Sequence, residues 1–291
     1  MLSEKEAELV TDEEDWTSAE EEDRRYREPP ANHPGTTRST YVDATHGPEP
    51  CPDWVITSDD AWDFELGILK TGKEADVFLV ERALGSGAAS VLMSAKRYRT
   101  GFELSVRHIA DYASSRDSGD SRVNRATRKN TPFGRVTAAQ QWIAHEFDLL
   151  GRLWQQGAPV PYPVQLLGTE MMLEFIGDHA AQEAAPRLAQ TALDEDELRS
   201  SWTQAADAII AFASVGVAHA DLSAFNILVE RSQGQPRLVV IDFPQAVDIV
   251  KHPTGVDLLR RDCVNVCNWF RRQGVDEANA DDVFAAAMER L

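Results

Sequence analysis

The chain has 291 residues, 43% of them hydrophobic and 26% charged. That is an ordinary globular composition, long enough for one two-lobed domain or two small ones. Its 29 basic and 48 acidic side chains give a formal charge of -19, which excludes a chain-wide surface for polyanions. There is no apolar run of membrane-spanning length and no basic-then-apolar leader, so the expected setting is cytoplasmic, with no membrane contact. Cys51, Cys263 and Cys267 form neither a CxxC pair nor an even framework, and reduced thiols are expected.

Residues 1 to 30 hold twelve acidic and four basic side chains, and Pro29, Pro30, Pro34, Pro48 and Pro50 punctuate the chain up to residue 50. So little apolar surface predicts an acidic disordered tail over residues 1 to 50. It is read as a solubilising or regulatory extension of a domain over 51 to 291. Val77 to Val80 and Val91 to Lys96, separated by Gly85 to Ala88, predict a hairpin. The stretch Lys70 to Val77 ahead of it reads as a turn with a charged tip, neither a Walker A loop nor GxGxxG. Arg122, Arg125, Arg128, Lys129 and Arg135 then form a basic run without one acid.

From Thr137 to Gln156, apolar residues recur at helical spacing until Gly157 and Pro159 stop them. Two strands are expected over Pro163 to Ile176, turning at Gly168 and Thr169. A helix over Asp194 to Val215 comes next, then strands at Ile227 to Val229 and Leu238 to Ile241, then helices over Val256 to Arg272 and Asp281 to Leu291. Strands first and helices later indicate an α+β fold with two lobes, the N-lobe over about 60 to 173 and the C-lobe over about 177 to 291.

The most informative stretch is His219-Ala220-Asp221-Leu222-Ser223-Ala224-Phe225-Asn226, followed by strand, turn, strand and Asp242. In an antiparallel hairpin the start of the first strand lies beside the end of the second, so Asn226 should neighbour Asp242. Hard oxygen donors in ones and twos suit a nucleotide-bound Mg²⁺. Asp221, on the same rim, is placed to orient an attacking hydroxyl or water. Each residue alone could simply cap a turn or a strand; the three together at these spacings point to a site. On the helix from Thr137, the stripe Trp142, Glu146, Leu150 and Leu153 puts a carboxylate on the core face. It needs a cation, and Lys96 at the end of a hydrophobic strand is the candidate. A structural ion pair, or a Lys96 that snorkels to water, would leave the same signature. Cys263 and Cys267 read as core, and His219 as a structural residue.

Taken in order, Thr71-Gly72-Lys73-Glu74-Ala75, Lys96, Glu146, Leu173 to Gly177, His219 to Asn226, Ile241 to Gln245 and the closing stretch Leu258 to Val266 resemble the RIO family of atypical protein kinases. The subgroup indicated is the one without an N-terminal winged-helix domain. The resemblance covers about residues 65 to 275. It implies a bilobal protein-kinase-like fold, a small β-rich N-lobe and a helical C-lobe, lacking an activation segment and peptide-binding subdomains. It implies ATP between the lobes, with Mg²⁺ or Mn²⁺. Lys96 would contact the α- and β-phosphates and pair with Glu146, while Thr71, Gly72, Lys73, Glu74 and Ala75, with Val77, cover them. Backbone groups of Glu174 and Ile176 would hold the adenine. Asp221 becomes the catalytic base, Asn226 and Asp242 the metal ligands, and Asp242 in this family also accepts phosphate as an aspartyl-phosphate, giving ATPase turnover.

The activity implied is serine/threonine phosphorylation of another protein or of the chain itself. The basic run Arg122 to Arg135 lies where RIO proteins carry a flexible loop. It reads as a solvated insertion, as an autophosphorylation segment through Ser118, Ser121, Thr127 or Thr131, or as a contact to RNA or the ribosome. Two departures from ordinary protein kinases stand out: Ala220 occupies the place of the Arg that anchors a phosphorylated activation loop, and Pro244 follows Asp242-Phe243 in place of a flexible Gly. The alternatives are a nucleotide-switched binding module and an aminoglycoside-type small-molecule phosphotransferase, which also uses His-x-Asp-x4-Asn.

Overall fold

The computed structural model describes residues 36 to 85, 89 to 99, 132 to 231 and 234 to 291. The N-lobe is an antiparallel sheet of β1 (Thr36–Arg38), β2 (Thr45–His46), β3 (Ala61–Thr71), β4 (Ala75–Leu84), β5 (Ser90–Tyr98), β6 (Pro163–Leu167) and β7 (Glu170–Glu174). Among the described residues the strand order is β1-β3-β4-β5-β7-β6-β2. Helix α1 (Pro132–Gln155) comes between β5 and β6 in the chain. Its stripe Trp142, Glu146, Leu150 and Leu153 is buried, as the periodicity predicts, within a core that runs on into the C-lobe.

The expected hairpin is β4 with β5, in a register that sets Val77 opposite Lys96 and so puts both side chains on one face. The strand β3 extends what reads from sequence as a turn alone. It runs eleven residues with register shifts at Glu65/Gly67 and Ile68/Lys70, and such shifts blur the alternation by which a strand is recognised.

The tail expected over residues 1 to 50 is corrected from Thr36 onward; residues 1 to 35 lie outside the described residues. β1 pairs with β3 and β2 with β6, and Tyr41 between them is buried against Val55 and Tyr162. Beneath this strap Arg82 is fully buried. Its Nε donates to Asp63 Oδ1 at 2.7 Å and its Nη2 to Asp63 Oδ2 and Gln165 Oε1, both at 2.9 Å. Gln165 Nε2 in turn donates to Thr40 Oγ1 at 2.9 Å. The segment is therefore ordered by partners far along the chain rather than by apolar content of its own.

After the short pair β8 (Gly177–Asp178) and β9 (Glu183–Ala184) comes α2 (Glu195–Ser214). A capping box starts it: Asp194 Oδ1 accepts from Glu197 N at 2.9 Å, and Glu197 Oε2 from Asp194 N at 3.0 Å. The rest of the lobe comprises β10 (Val217–Ala218), β11 (Ile227–Glu230), β12 (Arg237–Val240), β13 (Val247–Asp248), α3 (Gly255–Arg272) and α4 (Ala280–Arg290). β11 pairs with β12 and β10 with β13, so the loops that carry the polar site residues emerge beside α3 and face the sheet.

Candidate active site

Between sheet and C-lobe lies a cleft of about 820 Å³. Lys96 enters it from β5, and α1 brings Glu146 to meet it, Nζ to Oε1 at 2.7 Å. The second carboxylate oxygen accepts from the Tyr98 hydroxyl. Lys96 Nζ also lies 3.5 Å from Asp242 Oδ1, and Lys70 Nζ is 4.0 Å from Asp242 Oδ2. One carboxylate thus faces two ammonium groups. Burial pulls the Lys96 ammonium down, but Glu146, Tyr98 and Asp242 outweigh it and hold it well above its ordinary pKa. For Asp242, burial pushes up and the two lysines win, holding the carboxyl below its usual range. Lys70 sits lower than an ordinary lysine, first through burial and then through Arg187 and Lys96, against the pull of Asp242.

The tip between β3 and β4 closes on itself: Gly72 N donates to Ala75 O at 2.9 Å. A Cβ on Gly72 would sit 2.7 Å from that same oxygen, so only glycine fits the turn. Gly72, Lys73, Glu74, Ala75 and Val77 line the cleft; Thr71 does not. Its hydroxyl sits instead with the Asp76 carboxylate.

In the C-lobe the predicted neighbourhood is present. Ile227 pairs with Val240, and Ile241 N donates to Asn226 O at 2.9 Å, which brings Asn226 beside Asp242. Asn226 Nδ2 donates to the Asp221 carbonyl at 2.9 Å and reaches its Oδ2 at 3.4 Å. Those bonds spend the amide donors and leave the carboxamide oxygen as the acceptor. Asp221 and Asp242 line the cleft, whereas Asn226 stands just behind them. Asp242 has φ 74° and Ala220 φ 64°, left-handed backbone that an L-residue holds only under constraint. The constraint at Ala220 is Asp262 on α3, whose Oδ2 accepts from Ala220 N at 2.7 Å and Oδ1 from Leu222 N at 3.0 Å. His219 is buried, and burial lowers its pKa. Its Nδ1 accepts from Asp221 N at 3.3 Å while Nε2 meets Ile241 O at 3.2 Å, a structural role as expected.

Glu174 and Ile176 line the inner end of the cleft. The Glu174 carboxylate accepts from Tyr162 N at 3.0 Å, and the Ile176 carbonyl from Ala185 N at 2.9 Å. What remains there for a planar ligand is main-chain polarity, chiefly the Ile176 N–H. Sequence reasoning missed Lys70, Arg187 and Gln190 in the lining and Asp262 behind it. Lys70 was hidden because β3 was not recognised; Asp262 lies some forty residues from the loop it holds and carries no local signal. The basic run Arg122 to Arg135 falls outside the described side chains.

A family model described as the RIO domain matches residues 91 to 283. The chain belongs to the RIO kinase family. The RIO-type serine/threonine-protein kinase Rio1 of Haloferax volcanii is 33% identical over 218 residues, covering 75% of this chain and 67% of that protein. Human RIO1 is 29% identical over 219 residues, and there the match takes up 35% of the relative's length. The solved Rio2 kinase-ADP/Mg²⁺-phosphoaspartate complex from Chaetomium thermophilum shares the fold, with a TM-score of 0.52 at 20% identity over 76% of this chain and 62% of that one. The fold of this RIO kinase is accordingly bilobal and α+β. Its Thr71 to Ala75 turn and the strap beginning at Thr36 lie ahead of the matched region. Among the described residues no helix is long and apolar enough to cross a membrane.

Proposed function

We propose that this chain transfers the γ-phosphoryl group of ATP to a serine or threonine hydroxyl, on itself or on another protein. The observation that carries the reading is Lys96, clamped by Glu146 at 2.7 Å and only loosely by Asp242 at 3.5 Å in the cleft that Asp221 also lines. Held from behind, the Lys96 ammonium is presented to phosphate oxygens, which replace the weaker Asp242 contact. Gly72 to Ala75 and Val77 cover the phosphates, and the main chain at Glu174 and Ile176 takes the adenine edge. The cleft volume suits a nucleotide, since ligand pockets run to about 300–1,000 Å³.

The donor set fits a metal that arrives with the nucleotide. Asp242 carries a carboxylate at the cleft and Asn226 keeps its carboxamide oxygen, hard ligands that leave places for phosphate oxygens and water. Held there by Asp242 and Asn226, Mg²⁺, or Mn²⁺ in its place, would supply charge neutralisation for the phosphates of the nucleotide. Asp221 accepts the proton of the attacking hydroxyl, and its own position is fixed from both sides by Asn226 and the loop bonds to Asp262.

A second reading is phosphoryl transfer to Asp242 itself, favoured by its place between two lysines and its constrained backbone. An Oδ–P bond forms as the bond from phosphorus to ADP breaks, and water then releases phosphate and restores the carboxylate. For the basic run Arg122 to Arg135 a contact to RNA or the ribosome belongs to the same proposal, supported by its charge in an acidic chain. A cytoplasmic setting accords with the free thiols of Cys51, Cys263 and Cys267.

The test is incubation with γ-labelled ATP and Mg²⁺ of wild type, Asp221→Ala and Asp242→Ala, with label divided by acid stability and hydroxylamine sensitivity. Acid-stable label lost in Asp221→Ala is expected for the hydroxyl kinase. Hydroxylamine-sensitive label lost in Asp242→Ala would favour the second reading. Wild-type turnover in both variants would sink the site.

A further inference from the structure

Behind the nucleotide cleft lies a second, solvent-open cavity, of about 390 Å³, bordered by α1, the turn before β10, the segment from Phe243 to Asp248 and the first turns of α3. Glu146, Pro244 and Gln245 line both cavities and so form the wall between them. The rear cavity has the opposite charge character to the whole chain. Arg152 from α1, Lys251 from the turn after β13 and Arg261 from α3 border it, with His145 and His252 beside them.

Its two carboxylates are already engaged. Glu146 is taken by Lys96 and by the Tyr98 hydroxyl. Asp248 Oδ1 accepts from Val250 N at 3.1 Å and Lys251 N at 2.9 Å, and Oδ2 takes the Lys251 ammonium at 2.7 Å. Among the described residues neither Arg152 nor Arg261 has a carboxylate within ion-pair distance; Arg261 spends one N–H on the Ala220 carbonyl. Trp142, Leu149, Val215, Phe243 and Leu258 add apolar wall.

We propose that this rear cavity is a binding site for a phosphate monoester. Two guanidinium groups from separate helices, with the Lys251 ammonium already shared with Asp248 beside them, match a head with two charges and three acceptor oxygens better than a carboxylate with one charge and two. The apolar wall takes the group that carries the phosphate. Such a ligand ties α1 to α3, beside the Trp142 Nε1 to Pro244 O bond at 3.2 Å that holds α1 to the segment after Asp242. It stiffens the placement of Glu146 against Lys96, and through Arg261 it touches the loop that holds Asp221. Occupancy therefore raises nucleotide affinity, and nucleotide raises affinity for the ester by the same factor.

The experiment is calorimetric titration of the full chain with phenyl phosphate and with a phosphoserine hexapeptide, each with and without saturating ADP and Mg²⁺. Saturable one-to-one binding is expected, weakened about tenfold or more by Arg152→Glu and less by Arg152→Lys, which keeps the charge but not the fork. The Arg152 side chain is solvent-exposed on the last turn of α1, so an unchanged thermal midpoint confirms that the variants fold. ADP should tighten the ester about fivefold. No saturation by about 10 mM, binding indifferent to Arg152→Glu, or displacement of the ester by ADP would each overturn the proposal. Tighter binding of the peptide assigns the phosphate to a protein side chain, and tighter binding of phenyl phosphate assigns it to a small molecule. Because the ester is first titrated without nucleotide, the result stands apart from whether the chain is a kinase.

Discussion

Asp262→Asn is the sharpest test of how the loop around Asp221 is held. The Asp262 carboxylate is 1% exposed, and its two oxygens accept from the N–H groups on either side of Asp221, at 2.7 Å from Ala220 and 3.0 Å from Leu222. Asparagine keeps the shape but sets an NH₂ against one of those donors. One charge-assisted bond is lost, at about 1.5–3 kcal/mol, and the other is reduced to an ordinary bond at a further loss of about 1 kcal/mol. Part of this returns, because removing the charge relieves the burial that holds the Asp262 carboxyl above its usual pKa. The net expectation is a loss of about 2–3 kcal/mol in unfolding free energy, read from urea midpoints.

The kinetic signature distinguishes a loop tether from a merely stabilising contact. Ala220 at φ 64° is strained without Asp262, and its relaxation moves Asp221 while leaving Glu174 and Ile176 untouched. Turnover should therefore fall while the KM for ATP stays near wild type. An Asp262→Asn protein within about 0.5 kcal/mol of wild type and with unchanged turnover would refute the reasoning. It would hand the loop to its other contacts, Asn265 Nδ2 to Leu222 O at 3.3 Å and Arg261 to Ala220 O.

Lys70→Ala removes the second ammonium facing Asp242 and should weaken ATP about tenfold while leaving adenosine nearly unaffected; equal weakening of both would place Lys70 outside the phosphate site. Arg82→Met strands the Asp63 carboxylate in the N-lobe and should cost about 3–5 kcal/mol, most of it regained in the double variant with Asp63→Leu; a double variant as unstable as the single one would shift the cause from charge to packing. His219 titrates below the ordinary 6.5 because of burial. Below that value the unfolded chain binds the extra proton first, so its share of stability is whole above about pH 6.5 and is lost as pH falls toward the folded pKa. Urea midpoints from about pH 7.5 to 5 should decline more steeply in wild type than in His219→Asn, and identical slopes would contradict this.

Features legible in the sequence are those encoded locally. The capping box at Asp194 and Glu197 lies within three residues, and helix α2 has the expected bounds. Asn226 meets Asp242 because one tight hairpin carries both, and α1 buries Glu146 because 3.6-residue periodicity does so wherever the helix docks. The remainder depends on partners distant in the chain. Arg82 reaches Asp63 across 19 residues and Gln165 across 83, so the strap from Thr36 reads as polar chain until the sheet that receives it is in place. The rear cavity is legible least of all, since Arg152, Lys251 and Arg261 become neighbours only when α1 packs on the C-lobe.

The two departures from ordinary kinases acquire a common physical meaning. With Ala220 in place of an arginine, the loop around Asp221 has no arginine or lysine of its own to receive a distant phosphate, and its backbone is instead held by Asp262 and Arg261 from α3. With Pro244 after Phe243, the segment beyond Asp242 has lost a freely rotating residue, and the Pro244 carbonyl is held by Trp142 of α1. Pro244 removes internal freedom from its segment and Ala220 removes a cation from its loop, and in both places the backbone is held by the helices behind it. A switch in this protein would act through α1 or α3, and the basic rear cavity is lined by both helices.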